Sequence, residues 1–140
     1  MKKAYILSGH DEDAPSFDTV NAIKSLGIDI SAINADKTEI PRDAELLLLL
    51  PNKDITENEK TRISGFMNDG GRVLLLTSYG VDYKNLYSML SEYGVQSDNK
   101  YLCEDNKNYN LSDTPAYIIP DVTDSLLAEA LEKESATVLL

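Results

Sequence analysis

The sequence contains few of the residues on which covalent and metal chemistry depends. It has one cysteine, Cys103, and one histidine, His10, in 140 residues. A single cysteine excludes a disulfide within the chain and leaves the redox compartment open. His10 is the sole imidazole that could activate a serine nucleophile.

Positive charge and long apolar runs are also scarce. The 13 Lys and Arg residues are outnumbered by 24 Asp and Glu, and the net charge of −11 disfavours nucleic-acid phosphates and anionic lipid headgroups. No run reaches the roughly 18 apolar residues of a membrane span. Met1–Lys3 leads into a predicted strand rather than a signal peptide. Because the chain stops on the apolar run Thr137–Leu140, we expect residues 1–140 to be a single α/β domain cut from a longer, membrane-anchored protein.

Phosphate-binding and nucleophile motifs are absent from the sequence. Neither Gly-x-Gly-x-x-Gly nor a Walker A pattern occurs, and Gly70-Gly71 is explained as the end of a helix. No Gly-x-Ser-x-Gly or Gly-x-Cys-x-Gly elbow follows a predicted strand. Cys103 precedes a polar loop with no histidine near it. We therefore expect no catalytic residue and no cofactor.

The stretch Glu45–Tyr79 predicts a strand–helix–strand unit. Leu46–Leu50 and Val73–Leu76 are continuous apolar runs, which are typical of strands buried on both faces of a parallel sheet. Thr56 and Glu59 have the spacing of a capping box at the start of a helix, and Gly70 ends that helix. We expect both strands to lie side by side at the centre of the sheet.

The remaining segments predict further alternation of strands and helices. Strands are expected at Ala4–Ser8, Ile28–Ile33 (an edge), within Val95–Cys103, at Tyr117–Ile119 and at Ala136–Leu140. One helix is expected to start at a Ser16 cap and to face the core with Phe17, Val20, Ile23 and Leu26. A second helix is expected to face the core with Leu86, Met89, Leu90 and Tyr93. The last helix is expected to begin at Pro120-Asp121. The pattern predicts a three-layer, doubly wound, mainly parallel sheet with the flavodoxin-like order 2-1-3-4-5.

Ligands of open α/β sheets bind beyond the carboxyl ends of the strands. We therefore expect any ligand in a crevice formed by Ser8, Gly9, His10, Ser78, Tyr79 and Gly80. The loop His10–Asp13 offers carboxylates and an imidazole for Mg²⁺ or Ca²⁺. A solvated acidic loop is the better explanation, since Pro51 stands where a phosphoacceptor would need an aspartate and Asp54 lies too far along. A small metal-dependent enzyme or phosphoacceptor is the alternative function.

Three tyrosines, Tyr79, Tyr83 and Tyr87, lie four residues apart. If they face solvent, they could stack on a sugar or a peptide. Tyrosines at this helical spacing more often pack in the protein with only the hydroxyl exposed, and we expect packing.

One family shares a pattern with residues 1 to 120. This part of the chain resembles the extracytoplasmic domain of the GldG-like, gliding-motility-type auxiliary proteins of ABC transporters. The matching positions are Ile40-Pro41, Asp43–Glu45, the strand ending in Pro51, Ile55–Glu59, Phe66-Met67, Asp69–Leu76, Asn85-Leu86, Leu90 and Tyr93–Val95.

The resemblance implies a role without catalysis. It implies an amidotransferase-like domain that lacks catalytic residues, faces the extracytoplasmic side of the cell membrane, and is flanked by membrane helices that this chain lacks. The partner it implies is an ABC permease or another envelope protein. The segment after Pro120 departs from the family pattern.

Overall fold

The computed structural model describes residues 2–12, 15, 17–98, 100–111 and 114–120. The chain divides into two compact units, Met1–Asn99 and Lys100–Leu140. The expectation of one continuous domain stays a prediction. The Ser16 cap, the helix expected from Pro120-Asp121 and the strand expected at Ala136–Leu140 fall wholly or partly outside the described residues.

The first unit is an α/β fold built on a parallel sheet. Its elements in chain order are β1 (Lys2–Leu7), α1 (Phe17–Ser25), β2 (Ile28–Ile33), β3 (Ala44–Leu49), α2 (Glu57–Asn68), β4 (Arg72–Leu75) and α3 (Lys84–Glu92). The four strands are ordered β2-β1-β3-β4, and every neighbouring pair is parallel. This order is compatible with a flavodoxin-like layout. None of the described helices combines the length and the apolarity needed to cross a membrane.

The core lies between the sheet and helices α2 and α3. Alternate strand residues point to this side, and their side chains are fully buried against residues from both helices. The cluster comprises Leu7, Ala35, Leu47, Leu49, Ile55, Ile63, Tyr83, Leu86 and Met89. Burying a side chain of this size contributes about 1.5–3 kcal/mol, so this cluster is the main source of stability in the first unit.

Helix α2 begins and ends as predicted. The Thr56 hydroxyl accepts a hydrogen bond from the Glu59 N–H (3.2 Å), and the Glu59 carboxylate accepts one from the Thr56 N–H (2.9 Å), which completes the capping box. At the other end Gly70 has φ of +91°, a left-handed conformation that glycine adopts without a steric penalty. The next residue, Gly71, is required for packing, because an added Cβ would lie 2.3 Å from the Phe66 ring.

The prediction that β4 is a central strand is wrong for the described sheet. Strand β4 pairs with β3 as expected, but among the described strands none pairs with its other side, so it lies at an edge. Leu74 is 51% exposed and Leu76 is 60% exposed, whereas Val73 and Leu75 pack against the core. An apolar run shows that a strand is hydrophobic, but it does not show whether both of its faces are covered.

Two more predictions fail in detail. Phe17, the first residue of α1, and Leu26, which follows its last residue, are exposed, because β2 is the one described strand that the helix contacts. Val20 and Ile23 are half-buried. Residues 95–98 and 100–103 contain no strand; this segment is too polar to supply a buried face.

The second unit contains a small sheet of its own. Strands β5 (Asn110–Leu111) and β6 (Thr114–Ile118) pair antiparallel, so the strand predicted at Tyr117–Ile119 is present in part but does not extend the parallel sheet. Two residues separate the strands, and a connection that short permits only antiparallel pairing.

Candidate functional site

The loops that follow β1, β3 and β4 meet at the carboxyl edge of the sheet through Asn52. The Asn52 N–H donates to the carbonyl of His10 (3.0 Å), and its side-chain amide donates to the carbonyl of Asp11 (2.8 Å). On the other side the Ser78 hydroxyl donates to the Asn52 side-chain oxygen (2.7 Å). Asn52 therefore holds together the two halves of the predicted crevice, a role that the sequence did not indicate.

The predicted crevice residues that follow β1 are hydrogen-bonded, buried or closely packed in the structure. The Ser8 hydroxyl donates to the Ile33 carbonyl (3.0 Å), and His10 is only 5% exposed. Gly9 has φ of +113°, and an added Cβ would lie 2.8 Å from the Asn34 side-chain nitrogen. On the β4 side Gly80 is exposed and Tyr79 is 66% exposed, so the open rim of the crevice lies there.

The buried His10 ring lies between two carboxylates. Its Nδ1 is 3.0 Å from Glu12 Oε1, and its Nε2 is 2.8 Å from Glu59 Oε2. Glu59 comes from the first turn of α2, 49 residues away, and is fully buried. The sequence identified Glu59 as part of a capping box but carried no sign that the same carboxylate contacts His10.

This arrangement favours a protonated His10. A neutral imidazole has one N–H, so its other nitrogen would direct a lone pair at a carboxylate. Burial lowers the pKa of His10, but hydrogen bonds from its ring to Glu59 and Glu12 outweigh burial and raise that pKa above the ordinary value of 6.5. We describe Glu12, His10 and Glu59 as the buried triad; with an imidazolium at its centre its net charge is −1.

Glu12 is held by the backbone of its own loop. Its Oε2 accepts hydrogen bonds from the N–H groups of Gly9 (3.1 Å) and His10 (3.0 Å). Burial raises the pKa of Glu12, but the backbone N–H of Glu12 itself, the N–H groups of His10 and Gly9, and the His10 ring stabilise the charged form and lower the pKa below 4.5. Both oxygens of Glu12 are therefore occupied within the loop.

Glu59 joins the triad to the start of α2. One oxygen, Oε2, accepts from both the His10 ring and the Thr56 N–H. The other oxygen, Oε1, is buried without a hydrogen-bond partner. The negative charge lies in the first turn of a helix, where the unpaired N–H groups and the helix dipole stabilise it.

The acidic loop does not assemble into a metal site in the described part of the chain. No group of three His, Cys, Asp or Glu residues there could hold a metal ion. The Asp11 carboxylate pairs with Lys53, and Asp13 is outside the described residues. Both ring nitrogens of His10 face carboxylates, so neither has a lone pair directed at an open space.

Asp54 supports helix α3 rather than facing the crevice. Its carboxylate accepts hydrogen bonds from the N–H groups of Asn85 (2.7 Å) and Leu86 (3.1 Å), and the Asn85 side chain donates to the Ile55 carbonyl (2.7 Å). These bonds connect the N-terminal ends of α2 and α3. Because its oxygens are engaged by backbone N–H groups, Asp54 is poorly placed to accept a phosphoryl group.

The three tyrosines have different environments. Tyr83 is fully buried; its hydroxyl donates to the Pro51 carbonyl and accepts from the Ser78 N–H (3.0 Å). Tyr87 is partly buried and forms an edge-to-face pair with Tyr83, with ring centroids 5.5 Å apart. The expected packing is confirmed for these two residues and is wrong for Tyr79, which precedes α3 and is exposed. Cys103, in the second unit, is exposed and free.

Comparisons with known proteins do not identify a relative. No family model matches the chain, and no significant similarity was found to a curated protein or to a solved structure.

Proposed function

We propose that residues 2–98 form the core of a non-catalytic binding or scaffolding domain of an ABC-type transport system. The observation that supports a lack of catalysis is that side chains of the predicted crevice bond to other residues of the protein itself. The Ser78 hydroxyl donates to the Asn52 amide oxygen rather than to a base, and the only imidazole, His10, is buried between Glu12 and Glu59. A nucleophile needs a base within hydrogen-bond reach, and no such pair exists among these residues.

We also propose that the domain is three-layered and doubly wound, with helices on both faces of the sheet. Right-handed crossovers in opposite directions along the sheet would place α1 and α2 on opposite faces, giving a three-layer, doubly wound domain. The order β2-β1-β3-β4 supplies the first four strands of the flavodoxin-like order. A class I glutamine amidotransferase domain shares this architecture and carries a nucleophilic cysteine; here Pro51-Asn52 follows β3, and Asn52 connects loops instead.

The role in transport rests on the resemblance to the GldG-like auxiliary proteins. On that basis the domain faces the extracytoplasmic side of the cell membrane, is tethered by helices outside this chain, and contacts an ABC permease or another envelope protein. The net charge of −11 argues against direct docking on anionic lipid. The contact surface we favour is the open rim of the crevice at Tyr79 and Gly80.

The test is to locate the full-length protein in cells by protease accessibility and to identify the proteins that purify with it. We expect cleavage from the extracytoplasmic side and recovery of a permease or an ATPase subunit. A Tyr79→Ala variant should lose the partner, whereas Phe17→Ala, which removes an aromatic ring that is 79% exposed on α1, should retain it. A cytoplasmic protein that purifies without transporter subunits would overturn the proposal.

The metal-dependent alternative is tested separately by calorimetric titration with Mg²⁺ and Ca²⁺. The described carboxylates of this loop, Asp11 and Glu12, are already engaged by Lys53, the His10 ring and backbone N–H groups, so we expect only weak binding. A dissociation constant below about 10⁻⁵ M, within the range of calcium sensors, would revive the enzyme or phosphoacceptor function.

A further inference from the structure

A second concave surface of the first unit lies at the edge of the sheet opposite to the crevice. It is a groove of about 1110 Å³, above the volume of most sites for small molecules. Its walls are the loop before β3, the side of α2, and the turn from α2 into β4. The residues that line it are Glu39, Ile40, Pro41, Arg42, Ala44, Glu45, Asn58, Thr61, Arg62, Gly65, Phe66, Asp69, Gly70, Gly71 and Arg72.

The distribution of positive charge singles out this groove. The chain contains three arginines, Arg42, Arg62 and Arg72, and all three line the groove, whereas none of the lysines in the described part of the chain does. These arginines come from three different elements: the loop before β3, helix α2 and the first residue of β4. In a protein with a net charge of −11, the fold has gathered every guanidinium group at one place.

Arg62 fixes the wall of the groove. Its guanidinium donates to the backbone carbonyls of Ala35 and Thr38 and forms an ion pair with Glu39 (3.0 Å). The Arg62 side chain is 21% exposed, so these bonds are partly shielded from water. These bonds attach the loop before β3, which joins β2 to β3, to helix α2, and they give the groove its shape without a ligand.

Arg42 and Arg72 are not used in this way. Both are exposed, and neither guanidinium makes a hydrogen bond or an ion pair with any residue in the part of the chain that the structure describes. A guanidinium carries five N–H donors in a planar fork that matches the two oxygens of a carboxylate or a phosphate. We propose that Arg42 and Arg72 bind the oxyanion of a small organic ligand, a carboxylate or a phosphate, in this groove.

The other lining residues limit which anions fit. Glu45 and Asp69 are acidic and exposed, and they oppose a highly charged anion. Ile40, Pro41 and the Phe66 ring provide an apolar part of the lining against which the body of a ligand can pack. The groove therefore fits a molecule with one oxyanion and an apolar body better than a polyphosphate or a nucleic acid.

The test is a titration of the chain with inorganic phosphate and, separately, with benzoate, followed by amide and guanidinium NMR shifts. We expect saturable shifts at the groove residues, including the Gly71 amide, and tighter binding of benzoate than of phosphate. Arg42→Gln and Arg72→Gln should each weaken benzoate binding about five- to tenfold, where a factor of ten corresponds to about 1.4 kcal/mol. Arg72→Lys should also weaken it, because an ammonium lacks the planar fork.

The matched control is Lys24→Gln, which removes one positive charge on α1, outside the groove lining. It should leave the affinity unchanged. Shifts that do not saturate, shifts spread over the surface, or equal losses in Lys24→Gln and Arg72→Gln would each overturn the proposal. The titration of the unaltered chain decides the first two outcomes even if a variant folds poorly, and none of them depends on the proposed role in transport.

Discussion

The buried triad gives the sharpest test of the structural reasoning. Replacing Glu59 by glutamine keeps the side-chain shape and an oxygen that can accept from the Thr56 N–H. The capping box therefore survives in large part. What is lost is the negative charge 2.8 Å from the Nε2 of His10, at a side chain that is 1% exposed.

The expected cost follows from the kind of bond that is removed. A hydrogen bond to a charged group contributes about 1.5–3 kcal/mol. Removing one partner of a buried ion pair costs up to about 3–5 kcal/mol when the remaining charge has no other partner. Because His10 retains Glu12, with the Nδ1–Oε1 distance at 3.0 Å, we expect Glu59→Gln to lower the free energy of unfolding by about 2 kcal/mol while His10 is protonated.

This cost should depend on pH with a definite sign. The pKa of His10 is raised in the folded state, so protonation of His10 stabilises the fold fully below about pH 6.5, and this contribution is lost as pH rises through the folded pKa. Above it, His10 is neutral and the charge lost in Glu59→Gln no longer pairs with an imidazolium, so the cost of the substitution should be smaller. On the acidic side the lowered pKa of Glu12 means that its contribution is present above about pH 4.5 and is lost as pH falls through its folded pKa.

Urea denaturation at about pH 6 and about pH 9 measures the effect, since the first value lies between the two transitions. The matched control is Glu57→Gln, which removes an exposed charge from the same helical turn without touching His10. It should change stability by less than about 0.5 kcal/mol at both pH values. A Glu59→Gln cost at about pH 6 that is no larger than that of the control, or a cost that grows between about pH 6 and about pH 9, would refute the pairing of Glu59 with a charged His10.

Two further pairs of substitutions test the packing and hydrogen bonding of the first unit. Gly71→Ala should destabilise the protein by about 1–3 kcal/mol, because the added Cβ would overlap the Phe66 ring. Gly65→Ala should stabilise it by up to about 1 kcal/mol, because Gly65 lies inside a helix with open space around it. Chemical denaturation measures both variants, and equal effects would contradict this prediction. Tyr83→Phe should lower the free energy of unfolding by about 1–3 kcal/mol, because the Pro51 carbonyl and the Ser78 N–H lose their hydrogen-bond partner. Tyr87→Phe keeps the ring pair and should cost less than about 0.5 kcal/mol. Similar thermal midpoints for the two variants would argue against the Tyr83 hydrogen bonds.

The features that the sequence predicted well depend on neighbours along the chain. The Thr56–Glu59 capping box, the left-handed Gly70 and the bounds of β2 all follow from short-range spacing. Such patterns reflect backbone hydrogen bonds and dihedral angles within a few residues, so they are visible without the fold. The parallel order β2-β1-β3-β4 was also accessible, because alternation of strands and helices leaves few right-handed arrangements.

The features that the sequence could not predict depend on residues far apart. The apolar run Val73–Leu76 indicated a strand, but only the tertiary structure shows that β4 is an edge strand of the described sheet and that Leu74 and Leu76 are exposed. Phe17 and Leu26 had helical spacing with the core-facing residues, yet the limited contact of α1 with the sheet leaves both exposed.

By itself, then, the sequence determined the local elements, their alternation and the absence of familiar catalytic motifs, because each is encoded in short-range spacing. Only the tertiary structure decided that His10, in what was predicted to be a solvated acidic loop, is buried against Glu59 from a helix 49 residues away. It also decided that the three arginines meet in one groove. In both cases charged residues that are far apart in the sequence come together. The packing of strands and helices fixes their positions, and no pattern along the chain does.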